Sequence, residues 1–212
     1  MRFSSRLPGA GGENALTRIL REKRAAGEGV LDLTESNPTH AGIVYPEGLL
    51  EGLADRRVLL YEPESFGLPS ARETIAATYG VPFDRVVLSA STSEAYSWIF
   101  KLLCDPGDEV LVPRPSYPLF EYLAALEAAR VTPYSLFYDH GWCIDFHALR
   151  ESMTERTKAI VLVNPNNPTG SYLKREELDA LVEICRERSI PLISDEVFSV
   201  YSLSDSPGYS RA

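Results

Sequence analysis

The 212-residue chain is poor in the residues from which metal centres, disulfide frameworks and nucleic-acid surfaces are built. Its three cysteines, Cys104, Cys143 and Cys185, are odd in number and widely spaced, with no C-x-x-C pair. That excludes a disulfide-stapled scaffold and a zinc ribbon. Cys104 and Cys185 fall on apolar helix faces and read as buried thiols. The three histidines show no H-E-x-x-H or other ligand spacing, so no metal site is expected. Cationic residues are also short: 21 Lys and Arg stand against 30 Asp and Glu, a net charge of −9. This balance argues against nucleic-acid and anionic-membrane partners. No apolar run approaches the ~18 residues that cross a bilayer, and the arginine-bearing N-terminus has no apolar signal core. A cytoplasmic protein is expected. Lysine is scarcest of all among the charged residues, with only Lys23, Lys101, Lys158 and Lys174.

What is present is globular, with 44% hydrophobic and 24% charged residues, enough for one ordinary core or a domain plus an arm. Met1 to Gly12 is polar and Gly-rich and reads as an arm. Helical periodicity runs from Glu13 to about Ala26, with Leu16, Ile19 and Leu20 on one stripe. A short extended segment, Val30 to Leu33, enters a loop at Thr34–Thr39. Short helices are expected near Gly48–Asp55 and over Pro69–Tyr79. From Arg85 strands and helices alternate. Strands are expected at Val86–Ser89, Glu109–Val112, Ala129–Leu136, Thr157–Val163 and Pro191–Asp195. Helices are expected at Thr92–Cys104, Tyr117–Glu127, Phe146–Met153 and Lys174–Arg188. The alternation argues for an α/β fold, a three-layer α/β/α arrangement around a mainly parallel sheet, with an N-terminal helical arm.

Chemistry concentrates in a few short segments. Asn164-Pro165-Asn166-Asn167-Pro168-Thr169-Gly170 is followed 24 positions later by Ser194-Asp195-Glu196-Val197. Each follows an apolar run that reads as a buried strand. In a parallel sheet the carboxyl ends of strands line the ligand crevice, so an amide (Asn167) and a carboxylate (Asp195) are presented at one rim. That pair suits a flat heteroaromatic ligand with a phenolic oxygen and a ring nitrogen. Ala90-Ser91-Thr92-Ser93 lies where a strand turns into a helix. Its hydroxyls and free amides could seat a phosphate, or Ser91 or Thr92 could simply cap the helix. The prolines of Val112–Pro118 aim Tyr117 at the same rim, for stacking or for packing. Tyr61, Gly67 and Arg72 lie in the segment "YEPESFGLPSAR", where Tyr61 alone would be an ordinary amphipathic aromatic. Ser36-Asn37-Pro38 by itself reads as a plain turn.

Taken together, the segments resemble the aspartate aminotransferase-like class I/II family of pyridoxal-phosphate enzymes of fold type I. The resemblance covers about Asn14 to Tyr201 and includes "GDEVLVPRPSYP" and "NPNNPTG". It implies transfer of an amino group from an amino acid to a 2-oxo acid, with pyridoxal 5′-phosphate as cofactor and a homodimer as the working form. By the same resemblance Asp195 holds the ring nitrogen, Asn167 the ring oxygen, and Tyr117 stacks on the ring. Ser91 and Thr92 hold the phosphate, helped by Tyr61 of the partner subunit, and Ser36 and Asn37 border the substrate carboxylate. Two positions depart from the family. Ser91 stands where glycine is common, and Phe198 stands where a tyrosine often bonds the ring oxygen. A pyridoxal-phosphate-dependent lyase on the same fold and a decayed, non-catalytic paralogue are the rival readings.

The family's Schiff-base lysine comes well after the Asp-Glu-Val strand, so the catalytic residue is expected beyond residue 212. Lys174 fits a bare Ser-x-x-Lys pattern, but it opens a predicted helix and is not expected to serve. The family's sheet has seven strands, and the last two would also lie beyond Ala212, leaving Val86–Ser89 without its neighbours. The chain is therefore expected to be an inactive and marginally folded fragment. Residues 1–45 would be the arm and a small-domain segment. Residues 46–212 would be a partial large domain lacking its last strands and the C-terminal small domain.

Overall fold

A computed structural model describes residues 4, 6, 13–31, 33 and 36–201 of the chain. The expectations for most of the N-terminal arm, for Asp32, Thr34 and Glu35, and for the tail after Tyr201 fall outside the described residues. The chain divides into two compact units, Ala10–Leu88 and Ser89–Ala212 with Met1–Gly9.

Among its described residues the first unit holds two α-helices, α1 (Ala15–Ala25) and α2 (Pro69–Tyr79). Asn14 caps α1 by accepting the Thr17 amide at 2.8 Å. Pro69 opens α2 at its first turn, where a missing N–H costs nothing, and Gly80 closes it in the left-handed region (φ 65°). The helix expected near Gly48–Asp55 is a 3₁₀ helix, Glu47–Ala54, and further 3₁₀ turns occupy Arg56–Leu59 and Phe83–Arg85.

Among its described residues the second unit is a five-stranded sheet with helices on both faces. Its elements are α3 (Thr92–Leu103), β1 (Glu109–Arg114), α4 (Phe120–Leu126), β2 (Arg130–Tyr138) and β3 (Trp142–Ile144), then α5 (Phe146–Ser152), β4 (Thr157–Val163), α6 (Arg175–Arg188) and β5 (Leu192–Asp195). The strand order is β3-β2-β1-β4-β5. All pairings are parallel except that of the edge strand β3 with β2. The central strands are continuous apolar runs because both faces are covered. Val110, Val112, Ala159, Val161 and Val163 pack with Tyr96 and Phe100 of α3 and with Phe120 and Ala124 of α4. The alternate residues Leu111, Ile160 and Leu162 pack with Leu149 of α5 and with Leu181, Ile184 and Cys185 of α6. Strand alternation therefore sorts the side chains into two cores, one on each side of the sheet. This is the three-layer arrangement read from the sequence.

Two elements differ from expectation. Residues 86–89 form no strand. The segment is extended at Val86, and Leu88 donates only to the Phe66 carbonyl, at 2.9 Å. A strand needs a ladder partner on at least one side, and among the described residues this segment pairs with none. The second difference is β3, which the sequence reading did not anticipate. Three residues are too few for a period-2 signal, and β3 owes its place to contacts from elsewhere. The Ile144 amide donates to the buried Glu177 carboxylate at 2.9 Å, and the Lys174 amide donates to the other oxygen at 3.0 Å. One buried side chain thus fastens the edge strand and closes the first turn of α6.

Candidate functional site

Three parallel strands, β1, β4 and β5, end at one rim of the sheet. Val163 of β4 pairs with Asp195 of β5, and the next residue, Asn164, donates its backbone N–H to the Asp195 carbonyl at 2.8 Å. The loop carrying Asn166 and Asn167 therefore leaves the sheet beside the residue that carries the carboxylate. Asn166 is 5% exposed and binds this loop to the one after β1. Its Nδ2 donates to the Pro115 carbonyl at 3.1 Å and to Thr169 Oγ1 at 2.9 Å, while its Oδ1 accepts the Ser116 hydroxyl at 3.2 Å. The Asn164 Oδ1 accepts the Leu173 amide at 2.9 Å and anchors the loop's far end.

Asn167 is half-buried, and its side-chain amide makes no hydrogen bond among the described residues. Of the asparagines in the loop, the two neighbours are spent on structure, and the one singled out by motif has its amide available. Tyr117, in the loop after β1, is half-buried and packs edge-on against Phe120, with ring centroids 5.8 Å apart. Packing against the core is what the structure records for it.

Ser91 is the N-cap of α3. Its hydroxyl accepts the Glu94 amide at 3.2 Å, and the Glu94 carboxylate accepts the Ala90 amide at 2.6 Å. Ser91 thus caps the helix, and Glu94 reaches back past it to the preceding amide, so the capping reading of Ser91 holds. Ser91 and Thr92 are nevertheless exposed at the positive end of a three-turn helix. The Glu94 carboxylate stands at the same end, so an incoming anion would share that helix end with it.

Asp195 itself is held from two sides. Its Oδ1 accepts the Val197 amide at 3.1 Å, and its Oδ2 accepts the hydroxyl of Tyr96 at 2.8 Å. Tyr96 is 4% exposed and lies one turn into α3 from the Ser91 cap. Burial first, then the charge and hydrogen bond of Asp195, push the ionisation of Tyr96 far above the ordinary tyrosine range. A carboxylate offers about four acceptor positions, so each oxygen retains a lone pair for a further donor. Tyr96 was missed by sequence reasoning. Its spacing with Phe100 marks a core-facing stripe, and nothing local shows that its hydroxyl meets a carboxylate 99 residues away.

In the first unit, Tyr61 is 91% exposed, and Ser36 and Asn37 are exposed. The Asn37 Oδ1 accepts the Thr39 amide at 3.0 Å and its hydroxyl at 2.6 Å, which is the geometry of an Asx turn. Gly67 has φ 95°, and a Cβ there would sit 2.6 Å from the Leu88 side chain. Arg72 is buried. Its Nε donates to the Val86 carbonyl at 2.7 Å and its Nη2 to the Phe83 carbonyl at 3.0 Å, with the guanidinium 4.1 Å from the Phe83 ring centre. Both residues hold residues 83–88 in place.

All four lysines are described, and each is engaged by a neighbour. Lys23 pairs with Glu28, Lys101 with Glu127, and Lys158 with Asp108 at the end of the sheet opposite the rim. Lys174 caps α6 and points its ammonium at Cys143 Sγ, 2.9 Å away, which raises its pKa. Among the described residues no cluster of metal-ligating side chains forms and no helix is long and apolar enough to cross a membrane.

The family profile for aminotransferase class I and II matches residues 28–211. The chain is 34% identical over 151 residues to nicotianamine aminotransferase 1 of Oryza sativa subsp. japonica, covering 68% of this chain and 31% of that protein. It is 32% identical over 198 residues to alanine aminotransferase of Mycobacterium tuberculosis, covering 89% of this chain and 46% of the relative. Among solved structures, alanine aminotransferase from Pyrococcus furiosus superimposes with a TM-score of 0.81 at 32% identity, covering 100% of this chain and 55% of that one. The chain belongs to the class I and II aminotransferases, a family of pyridoxal-phosphate enzymes of fold type I. It spans half or less of the length of these curated relatives.

Proposed function

We propose that the intact protein transfers an amino group from an amino acid to a 2-oxo acid, using pyridoxal 5′-phosphate bound at the rim of β1, β4 and β5. The observation that carries this reading is the Asn164–Asp195 hydrogen bond, which sets the asparagine loop beside the carboxylate at the crevice. The donor set suits the cofactor. Asp195 offers an anionic acceptor to the ring nitrogen, Asn167 an unengaged amide to the ring oxygen, and Ser91 and Thr92 exposed hydroxyls at a helix N-terminus to the phosphate. Tyr117 takes the ring face. When bound, the cofactor supplies an electron sink for the carbanion formed at the substrate's α-carbon. The task of Asp195 is to stay ionised so that the ring nitrogen stays protonated. With Phe198 in place of a tyrosine, Asn167 alone among these residues serves the ring oxygen.

The covalent lysine is not one of the four in this sequence, given where their ammonium groups point. We assign it to a part of the intact protein outside these 212 residues, and on this reading the chain alone does not transaminate. We read residues 1–45 as the arm and a small-domain segment, and residues 46–212 as part of the cofactor domain. Tyr61, exposed and without a recorded contact, is assigned to the partner subunit's phosphate in a homodimer, and Ser36 and Asn37 to the substrate carboxylate. The free thiols Cys104, Cys143 and Cys185 agree with a reducing, cytoplasmic setting.

The test is binding of pyridoxamine 5′-phosphate, which needs no covalent lysine, followed by its fluorescence. The chain should bind it, and Asp195→Ala should weaken binding about ten-fold or more. No difference between the two proteins would remove the basis of the reading. For the intact protein, alanine is the first amino donor to try, because alanine aminotransferases stand among its relatives.

A further inference from the structure

We propose that Tyr96 is a positioning residue that orients the Asp195 carboxylate toward the ring nitrogen of the cofactor. The inference rests on the aminotransferase reading above and names a part of that site which the family motifs do not contain. Three observations carry it. The first is the contact itself, Tyr96 Oη to Asp195 Oδ2 at 2.8 Å, between a side chain 4% exposed and the end of β5. The second is the rigidity of the donor. The Tyr96 ring is packed against Phe100 at 5.6 Å and edge-on against Phe120 at 5.2 Å, so the hydroxyl has a fixed address. The third is where α3 begins. The helix that presents Tyr96 starts at the Ser91 cap, so the proposed phosphate seat and the proposed ring-nitrogen partner are joined through one turn of helix and one hydrogen bond.

The chemistry follows from donor and acceptor rules. A phenol hydroxyl donates strongly to a carboxylate oxygen, so the contact ties Asp195 Oδ2 to Tyr96 Oη. It also occupies one oxygen in a defined direction, and the Val197 amide occupies the other. Rotation of the carboxylate about its last bond is then limited, and the remaining lone pairs keep a constant heading. Phe198 adds no hydrogen-bonding group on the turn after β5, so Tyr96 is the phenol that reaches the carboxylate here. The short, directed bond between a buried hydroxyl and a rim carboxylate is thus a device for aiming a charge.

The experiment compares pyridoxamine 5′-phosphate with its 1-deaza analogue, in which C–H replaces the ring nitrogen, on the 212-residue chain and on Tyr96→Phe. The chain should prefer the natural compound, and Tyr96→Phe should reduce that preference roughly ten-fold while leaving affinity for the deaza analogue nearly unchanged. A structural role for Tyr96 would weaken both ligands alike, and an intact preference in Tyr96→Phe would overturn the proposal while the cofactor reading stood. If the parent chain bound neither compound, or bound both equally, the cofactor reading would fail and this inference with it. A second measurement needs no ligand and no change at Tyr96. With 13C-labelled tyrosine, NMR should show the buried Tyr96 and Tyr134 resisting ionisation in the parent chain, and one of the two, Tyr96, ionising at lower pH in the near-isosteric Asp195→Asn while Tyr134 stays put. An unshifted resonance would refute the contact directly.

Discussion

The backbone N–H of Asn164 and the backbone carbonyl of Asp195 meet at 2.8 Å, one rung past the Val163–Asp195 pair. This bond converts a sequence spacing into a site. The two residues are 31 positions apart with a complete helix between them, and the parallel register brings their loops out of the sheet side by side. Everything assigned to the rim depends on that register, because a shift of one residue would turn each side chain to the opposite face.

Neighbouring asparagines in the loop should behave differently. Asn166 is buried and makes three side-chain hydrogen bonds, so Asn166→Ala strands several partners and should cost about 1–3 kcal/mol. Asn167→Ala removes an amide with no recorded partner and should change stability by less than ~0.5 kcal/mol. The order reverses for pyridoxamine phosphate, whose affinity Asn167→Ala should lower. Urea titrations of both variants check the first half and ligand fluorescence the second. Equal stability losses would mean that the two roles are wrongly divided.

Arg72 should prove structural. Its guanidinium bridges two carbonyls 2.7 and 3.0 Å away and lies over the Phe83 ring. Lysine offers one point charge in place of a planar fork and cannot span both carbonyls. Arg72→Lys should therefore lose about 1–3 kcal/mol, read as faster amide exchange across residues 83–88. Exchange there at the parent rate would show that the guanidinium is not what holds the segment.

The sequence and the structure agree best where burial is two-sided. The apolar runs of β1 and β4 and the stripes of α3 and α6 are long, periodic and bounded by Pro, Gly and Asn, so their ends fall within a residue or two of expectation. The rim was legible because its two motifs each follow an apolar run, although only β4 is buried and β5 is a partly exposed edge strand. What failed to show lies outside local pattern. The apolar stretch 86–89 has strand composition and was read as a strand, but without the neighbours whose lack was itself expected it forms no ladder. β3 is created by Glu177, 33 residues downstream of the amide it binds. Tyr96 reads as a core aromatic because its stripe says so, and only the fold brings Asp195 to its hydroxyl. The same applies to Arg72, which the sequence reading placed in the Tyr61 segment without a role and whose contacts are carbonyls and rings of its own unit.

Thiol reactivity should sort the cysteines by depth. Cys185 is buried between α6 and the sheet, and burial pushes its thiol up to about 11. At pH 8 roughly one part in a thousand is then thiolate, the form that reacts. Burial also raises the Cys104 thiol. In the native chain iodoacetamide should leave Cys185 unmodified long after Cys143, which lies on the edge strand. Addition of urea should abolish the difference. Rapid native alkylation of Cys185, read by peptide mass spectrometry, would mean that the α5–α6 core is open in solution.

A pH test follows from Glu127, at the end of α4. Burial works to raise its pKa, but the hydroxyl of Ser97 and the ammonium of Lys101, 3.1 Å away, outweigh burial and hold the carboxyl below its ordinary range. The sign of the linkage is set by that depression. The folded chain binds this proton less readily than the unfolded chain, so the stabilisation is complete above the ordinary glutamate value, about 4.3, and is lost as pH falls through the lower folded value. Lys101 is mostly exposed, which limits the effect to about 1 kcal/mol. Glu127→Gln should be the less stable protein at pH 7, and the two urea midpoints should converge as the pH drops from 5 toward 3. If the difference persisted unchanged across that range, the stabilisation would have to come from the shape of the side chain rather than from its charge.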